Sequence, residues 1–270
     1  MLLVLELLLR MAINLGISIG PALGGIIAGT LGYKWLFLLD GGTCILATLV
    51  FVKYLKEKKD LHSTELNEEK EEEIMQVEKD VRSAYKDYAF LGFLFINLIN
   101  IVAFFQILST VPLFFEREMQ LNEVQIGLFF TLNGLIIFLF EMPLIFITEK
   151  LKSSMFWVVT GAAMIGLAHL SFNLPGPWWV LFLAYSLFVG FGEVFNFPYS
   201  NTLGMNRGTG PSLGQYMGLY TMMFSCAFFI APIVGTRVLD AYGFDTLWYT
   251  MAVLNFISVM GFLWINKYLK

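Results

Sequence analysis

Polar side chains inside otherwise apolar stretches are the residues of this sequence whose types and spacing could do chemistry. Glu193 lies in "LFVGFGEVFNFPYSN", with Ser186 and Ser200 seven residues to either side. Residues seven apart lie on nearly the same face of an α-helix, so the sequence predicts a polar stripe around one acid, with Asn196 adjacent. A carboxylate at the centre of a membrane helix costs about 2.5–3.5 kcal/mol, which makes Glu193 a candidate proton carrier. The alternative is a neutral Glu that is hydrogen-bonded to a neighbouring helix.

Two further apolar stretches carry polar residues. Glu141 lies in "FLFEMPLIFITEKL", nearer one end of its stretch, and is either a second proton site or gate, or a carboxylate that reaches the membrane surface. Asn97 and Asn100 are three residues apart and therefore share a helix face, and Gln106 follows in the same stretch. Hydrogen bonding between helices is the simplest role for these amides.

The composition indicates whether these side chains lie in water or in a membrane. The chain has 270 residues, of which 57% are hydrophobic and 14% charged, and its mean hydropathy is +0.71. Soluble domains have about 25% charged residues, and the apolar stretches here reach the roughly 20 residues that cross a bilayer. We therefore predict an all-α, polytopic membrane protein, not a soluble or nucleic-acid-binding one. The predicted spans are residues 3–30, 34–55, 88–114, 123–147, 154–173, 178–203, 214–239 and 244–267.

The charged residues indicate an orientation. Residues 57–87 form the only long polar segment, and most Lys and Arg residues lie on that side of the alternating spans. The positive-inside rule places this linker and both termini in the cytoplasm. The sequence contains no HExxH motif, no GxSxG motif and no phosphate-binding loop, and Cys44 and Cys226 are expected to be small buried residues. We therefore predict no enzyme, no cofactor and no metal site.

An internal repeat is more informative than any single motif. The segment "IGPALGGIIAGTLGYKW" in the first span matches "IAPIVGTRVLDAYGFDT" in the seventh in the spacing of one proline and two glycines. Parallel repeats of six spans build transporters from two halves. The first span is then the fifth helix of the first half, and the chain is expected to match helices five to twelve of a twelve-helix protein. The matched positions are Pro21, Gly24 and Gly32 in the first copy and Pro232, Gly235 and Gly243 in the second.

The segment "RMAINLGISIGPALGG" resembles the fifth-helix motif of the major facilitator superfamily, particularly of its drug–proton antiporters. "GEVFNFPYSNTLGMNRG" is similar to a tenth helix of the multidrug branch. The resemblance implies the last two helices of an N-terminal half in residues 1–56, a cytoplasmic linker in 57–87 and a complete C-terminal half in 88–270. The residues that carry the motif are Arg10, Gly16, Gly20, Pro21, Gly24 and Gly25.

Three of these glycines are spaced by four residues and form one strip along the helix. Small residues at this spacing let membrane helices approach closely, because association in lipid depends on packing. The resemblance implies that Gly16, Gly20 and Gly24 form a seam between the two halves that seals against proton leakage, whereas the alternative is ordinary helix packing. Pro21 is expected to bend the helix.

The resemblance further implies a secondary active transporter of the plasma membrane, the inner membrane in bacteria, that exports small hydrophobic compounds in exchange for protons by alternating access. Glu193 and Glu141 would carry protons, and the expected partners are lipid, protons, a small-molecule substrate and the missing N-terminal helices, with no nucleic acid. The alternative is a truncated, non-transporting fragment or a membrane assembly module. The predicted substrate-cavity residues are Asn97, Asn100, Gln106, Asn196, Ser186 and Ser200.

Overall fold

Helices account for nearly all of the chain that the structure describes. The computed structural model describes residues 15–16, 19–54, 83–208 and 212–269 and contains no strand among them. The predicted all-α fold is confirmed. The helices are α1 (Ile19–Thr30), α2 (Tyr33–Tyr54), α3 (Tyr88–Phe104), α4 (Thr110–Arg117), α5 (Glu123–Thr148), α6 (Ser154–Ser171), α7 (Trp178–Arg207) and α8 (Leu213–Leu269).

Helix α8 contains two of the predicted spans without a loop between them. Gly243 has φ 80° and ψ 178° and is the only non-helical residue inside it. A positive φ is a backbone conformation that glycine adopts far more readily than other residues, so the chain turns here at a single position. We refer to residues 213–242 as α8a and to residues 244–269 as α8b. Each is longer than the roughly 20 residues that cross a bilayer.

The predicted third span is interrupted. Helix α3 ends at Phe104, a 3-10 turn covers Phe105–Leu108, and α4 continues to Arg117. Pro112 accounts for the break, because it lacks the N–H that would bond to the carbonyl four residues earlier and its ring clashes with that carbonyl. The other described spans begin and end within a few residues of the prediction, whereas Arg10 and most of the predicted linker lie outside the described residues.

The helices from α3 to α8 form a packed bundle, and α2 does not contribute to its core. Trp248, Tyr185 and Phe93 are fully buried within the bundle, while no residue of α2 is buried. The prediction that Cys44 and Cys226 are buried is wrong, since both are exposed. Cys44 lies on the unburied α2, and Cys226 points away from the bundle although its neighbour Ala227 is fully buried.

The main chains of α6 and α7 are in direct contact. A Cβ atom placed on Gly161 would lie 2.5 Å from both the Asn196 nitrogen and the Gly192 oxygen. No side chain can move to relieve this overlap, because the neighbouring atoms belong to the main chain. Glycine at this position therefore sets how closely α6 and α7 approach.

We expect Gly161→Ala to destabilise the protein by about 1–3 kcal/mol, because the two helices must separate to admit a methyl group. Gly218→Ala is the matched control, since nothing lies within 4 Å of a Cβ atom there. This control is expected to be neutral or stabilising by up to about 1 kcal/mol, the helix-propensity difference. Thermal unfolding of the purified variants in one detergent compares the two, and equal melting temperatures would contradict the packing argument.

Candidate functional site

Glu193 lies where α7 passes close to α5. A Cβ atom on Gly190 would lie 3.0 Å from Ile136 Cγ2 and 3.2 Å from Asn133 Oδ1, so the helices approach closely one turn before the acid. The Glu193 side chain is half-buried and lies near enough to Asn133 and Glu141, both on α5, to interact with them electrostatically. The structure thus brings the two predicted acids together on neighbouring helices.

Asn133 was not among the predicted site residues. It is an amide inside an apolar stretch, which is the same signal that identified Asn97 and Asn100. It is almost fully buried, with 5% of its surface exposed, and its Oδ1 atom has no hydrogen-bond partner among the described residues. A polar group in this position can hydrogen-bond Glu193 whether or not the carboxyl carries a proton, because an amide both donates and accepts.

The structure does not gather the predicted polar stripe around Glu193. The Ser186 hydroxyl donates to the Phe182 carbonyl at 2.7 Å, one turn back on its own helix. The Ser200 hydroxyl lies 2.7 Å from the hydroxyl of Tyr220 on α8a. Both serines are buried, and their hydrogen bonds are made away from the acid.

A network of buried amides joins three helices of the bundle. Asn100 on α3 donates through Nδ2 to Asn196 Oδ1 on α7 at 3.2 Å, and Asn196 donates through its own Nδ2 to the Val158 carbonyl on α6 at 2.9 Å. Asn97, one turn from Asn100, lies beside the Tyr220 hydroxyl, yet neither of its polar atoms has a partner within hydrogen-bond distance in the described structure. All three asparagines are fully buried.

Gln106 connects the break after α3 to α8a. Its Nε2 atom donates to the Ala231 carbonyl at 2.9 Å and to the Val102 carbonyl at 3.1 Å, and its Oε1 atom accepts from the Thr110 hydroxyl at 2.8 Å. A Cβ atom on Gly235 would overlap the Gln106 amide. The second copy of the repeat therefore packs against the 3-10 turn.

In the first copy of the repeat, the close contact is made by a different glycine. A Cβ atom on Gly25 would lie 2.6 Å from the Glu123 carbonyl oxygen, and one on Gly127 would lie 2.6 Å from the Pro21 oxygen. The main chains of α1 and α5 are therefore in direct contact. The strip predicted to form the seam does not take part in this contact: within the described ranges nothing lies within 4 Å of a Cβ atom on Gly16 or Gly20, and only Leu36 does so at Gly24.

The end of the bundle next to the linker contains an ion pair that the sequence analysis did not identify. Asp87 is fully buried and accepts from Arg207 Nε at 2.6 Å, from Arg207 Nη2 at 3.1 Å and from the Tyr216 hydroxyl at 2.9 Å. It also caps α3 by accepting from the Phe90 N–H at 3.2 Å. An Asp directly before an apolar helix is a recognisable N-cap signal in a sequence.

The charge of Asp87 is maintained by these contacts. Burial alone would raise the pKa of Asp87, but the hydrogen bonds from Arg207, the Phe90 N–H and Tyr216, together with the Arg207 charge, outweigh it and hold the pKa at about 2. A carboxylate with a lowered pKa adds stability above its ordinary pKa of 3.8, and this stability is lost as the pH falls towards 2.

We therefore expect Asp87→Asn to unfold at a lower temperature than the parent protein at pH 7, with a difference that shrinks below pH 4. Below pH 4 the unfolded parent takes up a proton at Asp87, whereas the folded parent, with a pKa of about 2, still keeps its charge, so the stability gained from that charge falls. The variant has no carboxyl to titrate. Melting temperatures in detergent between pH 7 and pH 3 measure the difference. A gap of constant size across this range would contradict the assigned role of the Asp87 charge.

Comparison with known proteins identifies a family and related proteins. The sequence model of the Major Facilitator Superfamily matches residues 8–209. An uncharacterized MFS-type transporter of Methanocaldococcus jannaschii is 22% identical over 154 residues, which is 57% of this chain and 39% of the relative, so this chain spans well under half of that protein's length.

Two crystal structures of POT family transporters share the fold. One is in complex with 5-aminolevulinic acid and has a TM-score of 0.76, and the other is in complex with a thioalcohol-conjugated peptide and has a TM-score of 0.72. Each is 15% identical, and each match covers 96% of this chain and 68% of the other. Both of these proteins are transporters.

Proposed function

Since the chain belongs to the Major Facilitator Superfamily, we propose that it acts in secondary active transport, in which small hydrophobic compounds leave the cell in exchange for protons. The observation that carries the proposal is the position of Glu193 in a membrane-spanning helix, within electrostatic reach of Asn133 and Glu141. An acid inside a membrane bundle that faces a partner acid is suited to binding and releasing a proton.

The proposed mechanism is alternating access. Loss of the proton from Glu193 leaves a negative charge beside Glu141 on the neighbouring helix α5. The states of the transporter that open to the two sides of the membrane then differ in the free energy of this charge. Protonation of Glu193 therefore shifts the equilibrium between the two states. Glu193 is the proposed proton carrier, and Glu141 modulates it.

The buried amides are given a supporting role in this proposal. Asn100 and Asn196 are fully buried and hydrogen-bonded across α3, α6 and α7. These hydrogen bonds favour a structural role for Asn100 and Asn196, in which they hold together the helices that surround the substrate cavity. They do not favour direct contact of the two side chains with the substrate. In the proposed orientation the linker and both termini are cytoplasmic, and residues 88–270 form the C-terminal half.

The test is transport by the full chain in proteoliposomes with an imposed pH gradient and a fluorescent hydrophobic dye as the probe. We expect dye movement that depends on the gradient and stops when a protonophore is added. Dye movement at the rate of protein-free liposomes would overturn the proposal for this chain.

The alternative of a membrane assembly module is favoured by one observation. Helix α2 is long and apolar enough to cross a membrane, yet none of its residues is buried against the chain. Apart from the contact of Leu36 with Gly24 on α1, its surface is therefore available to lipid or to other helices. Cysteine cross-linking along α2 to co-purifying membrane proteins distinguishes this role from transport by the chain.

A further inference from the structure

Three fully buried aromatic side chains that carry polar atoms lie beside one another in the core of the bundle. They are His169 on α6, Tyr185 on α7 and Trp248 on α8b, and we refer to them as the buried ring cluster. The centroid of the His169 ring lies 5.8 Å from that of Tyr185 and 6.0 Å from that of Trp248. Phe172 packs against the other two rings, with centroid distances of 4.3 Å to Tyr185 and 4.9 Å to Trp248. The buried ring cluster therefore joins three helices.

Each ring of the buried ring cluster has one polar atom without a hydrogen-bond partner among the described residues. These atoms are His169 Nε2, the Tyr185 hydroxyl and Trp248 Nε1. The side chains packed around Tyr185 and Trp248 are apolar and include Ile165 and Met251. Buried polar groups in proteins are bonded to protein or to ordered water in the great majority of cases, because burial without a partner is destabilising. Three such atoms on adjacent rings indicate a partner that they share.

The chemistry of each atom determines whether it donates or accepts. His169 Nδ1 lies 2.9 Å from the Ile165 carbonyl, which can only accept, so Nδ1 carries the hydrogen and Nε2 of the neutral ring is an acceptor. The Trp248 N–H can only donate, and the Tyr185 hydroxyl supplies a second donor. The Ala103 carbonyl of α3 lies near enough to the His169 ring to interact with it, and it is a second acceptor. Four helices thus contribute two donors and two acceptors.

A water molecule has the complementary capacity, since it accepts two hydrogen bonds and donates two. Buried waters in proteins make about three hydrogen bonds on average, mostly to polar groups that would otherwise have no partner. Two hydrogen bonds of about 2.8 Å through one water join polar atoms that are up to roughly 5.6 Å apart. Rings whose centroids are separated by 5.8 Å and 6.0 Å are therefore within reach of one bridging water.

We propose that the buried ring cluster binds one water molecule, which accepts from the Tyr185 hydroxyl and the Trp248 N–H and donates to His169 Nε2 and the Ala103 carbonyl. Ala103 is the last residue but one of α3, directly before the 3-10 turn. The water would join this end of α3 to α6, α7 and α8b. The proposal does not depend on the proposed transport function, and its tests do not measure transport.

The first experiment is oxidation by the hydroxyl radicals that X-ray radiolysis generates from water, applied to the purified full chain in detergent and read by mass spectrometry. A radical formed from a bound water reacts with the adjacent side chain, so a buried residue is oxidised where water is bound. We expect Tyr185 to be oxidised several-fold faster than Tyr216. Tyr216 is the matched control, since it is also buried but its hydroxyl donates to Asp87. Equally slow oxidation of both tyrosines would overturn the proposal.

Tyr185→Phe tests the site through stability, because it removes the hydroxyl and keeps the ring. A hydroxyl that bonds to a bound water is missed when it is removed, whereas removal of a buried hydroxyl without any partner is stabilising. We expect Tyr185→Phe to melt about 2–4 °C below the parent in detergent. Tyr88→Phe is the control for loss of a tyrosine hydroxyl, since Tyr88 is 83% exposed, and its melting temperature should be unchanged. A melting temperature of Tyr185→Phe equal to or above that of the parent would overturn the proposed water site.

Discussion

Glu193→Gln is expected to abolish transport driven by a pH gradient while leaving the fold intact. The Gln side chain has nearly the same size as Glu, and its amide can hydrogen-bond to Asn133. An amide, however, cannot bind or release a proton at the pH of the transport assay. We expect gradient-driven movement of dye to fall to the level of protein-free liposomes. Movement of dye down its own concentration gradient should remain, because the helices still pack and rearrange.

The control is Glu149→Gln, which removes an exposed carboxylate at the end of α5. This variant should transport as the parent does. Glu141→Gln is expected to give an intermediate rate, since it removes the neighbouring charge but not the proposed proton carrier. Full gradient-driven transport by Glu193→Gln would show that the proton is carried elsewhere.

Arg207→Met is expected to destabilise the protein by about 3 kcal/mol, because it breaks a buried ion pair. The fully buried Asp87 would lose two charge-assisted hydrogen bonds and its ion pair with Arg207 while remaining negatively charged. Arg207 also donates through Nη1 to the Leu269 carbonyl at 3.0 Å, so the variant releases the end of α8b as well.

The double variant Asp87→Asn, Arg207→Met separates the charge effect from the loss of packing. It leaves no uncompensated charge, and an Asn at residue 87 can still cap α3, so it should unfold at a higher temperature than Arg207→Met alone. Tyr216→Phe removes one hydrogen bond and is expected to cost about 1 kcal/mol. Thermal unfolding in detergent measures all three, and equal melting temperatures for the single and double variants would show that the buried charge is not the cause.

The fold was predictable because it depends on properties that are local in the sequence. The length of an apolar stretch determines whether it crosses a bilayer, and a glycine at the end of a helix permits the turn that follows. The repeat shows this well, since its two turn glycines, Gly32 and Gly243, have φ of 88° and 80°. The same spacing of residues produced the same backbone conformation in both copies.

The candidate site was predictable only in part, because spacing places a residue on a helix face without identifying what that face meets. Ser200 was grouped with Glu193 but bonds to Tyr220 on another helix. Asn196 is three residues from Glu193 yet points to α6 and α3. Asn133, which interacts electrostatically with Glu193, lies far from it in the sequence, and only helix packing brings the two near each other.

The single-residue connection at Gly243 has a consequence for the biosynthesis of the protein. Because α8a and α8b are joined through Gly243 with no loop, we expect the two spans to enter the bilayer together as a helical hairpin. Arg237, Asp240 and Asp245 lie near the tip of that hairpin and cross the membrane with it in the proposed orientation. We therefore expect a substitution at Gly243 to lower the amount of protein that inserts into the membrane, because a side chain there would strain the φ of 80° that the hairpin needs.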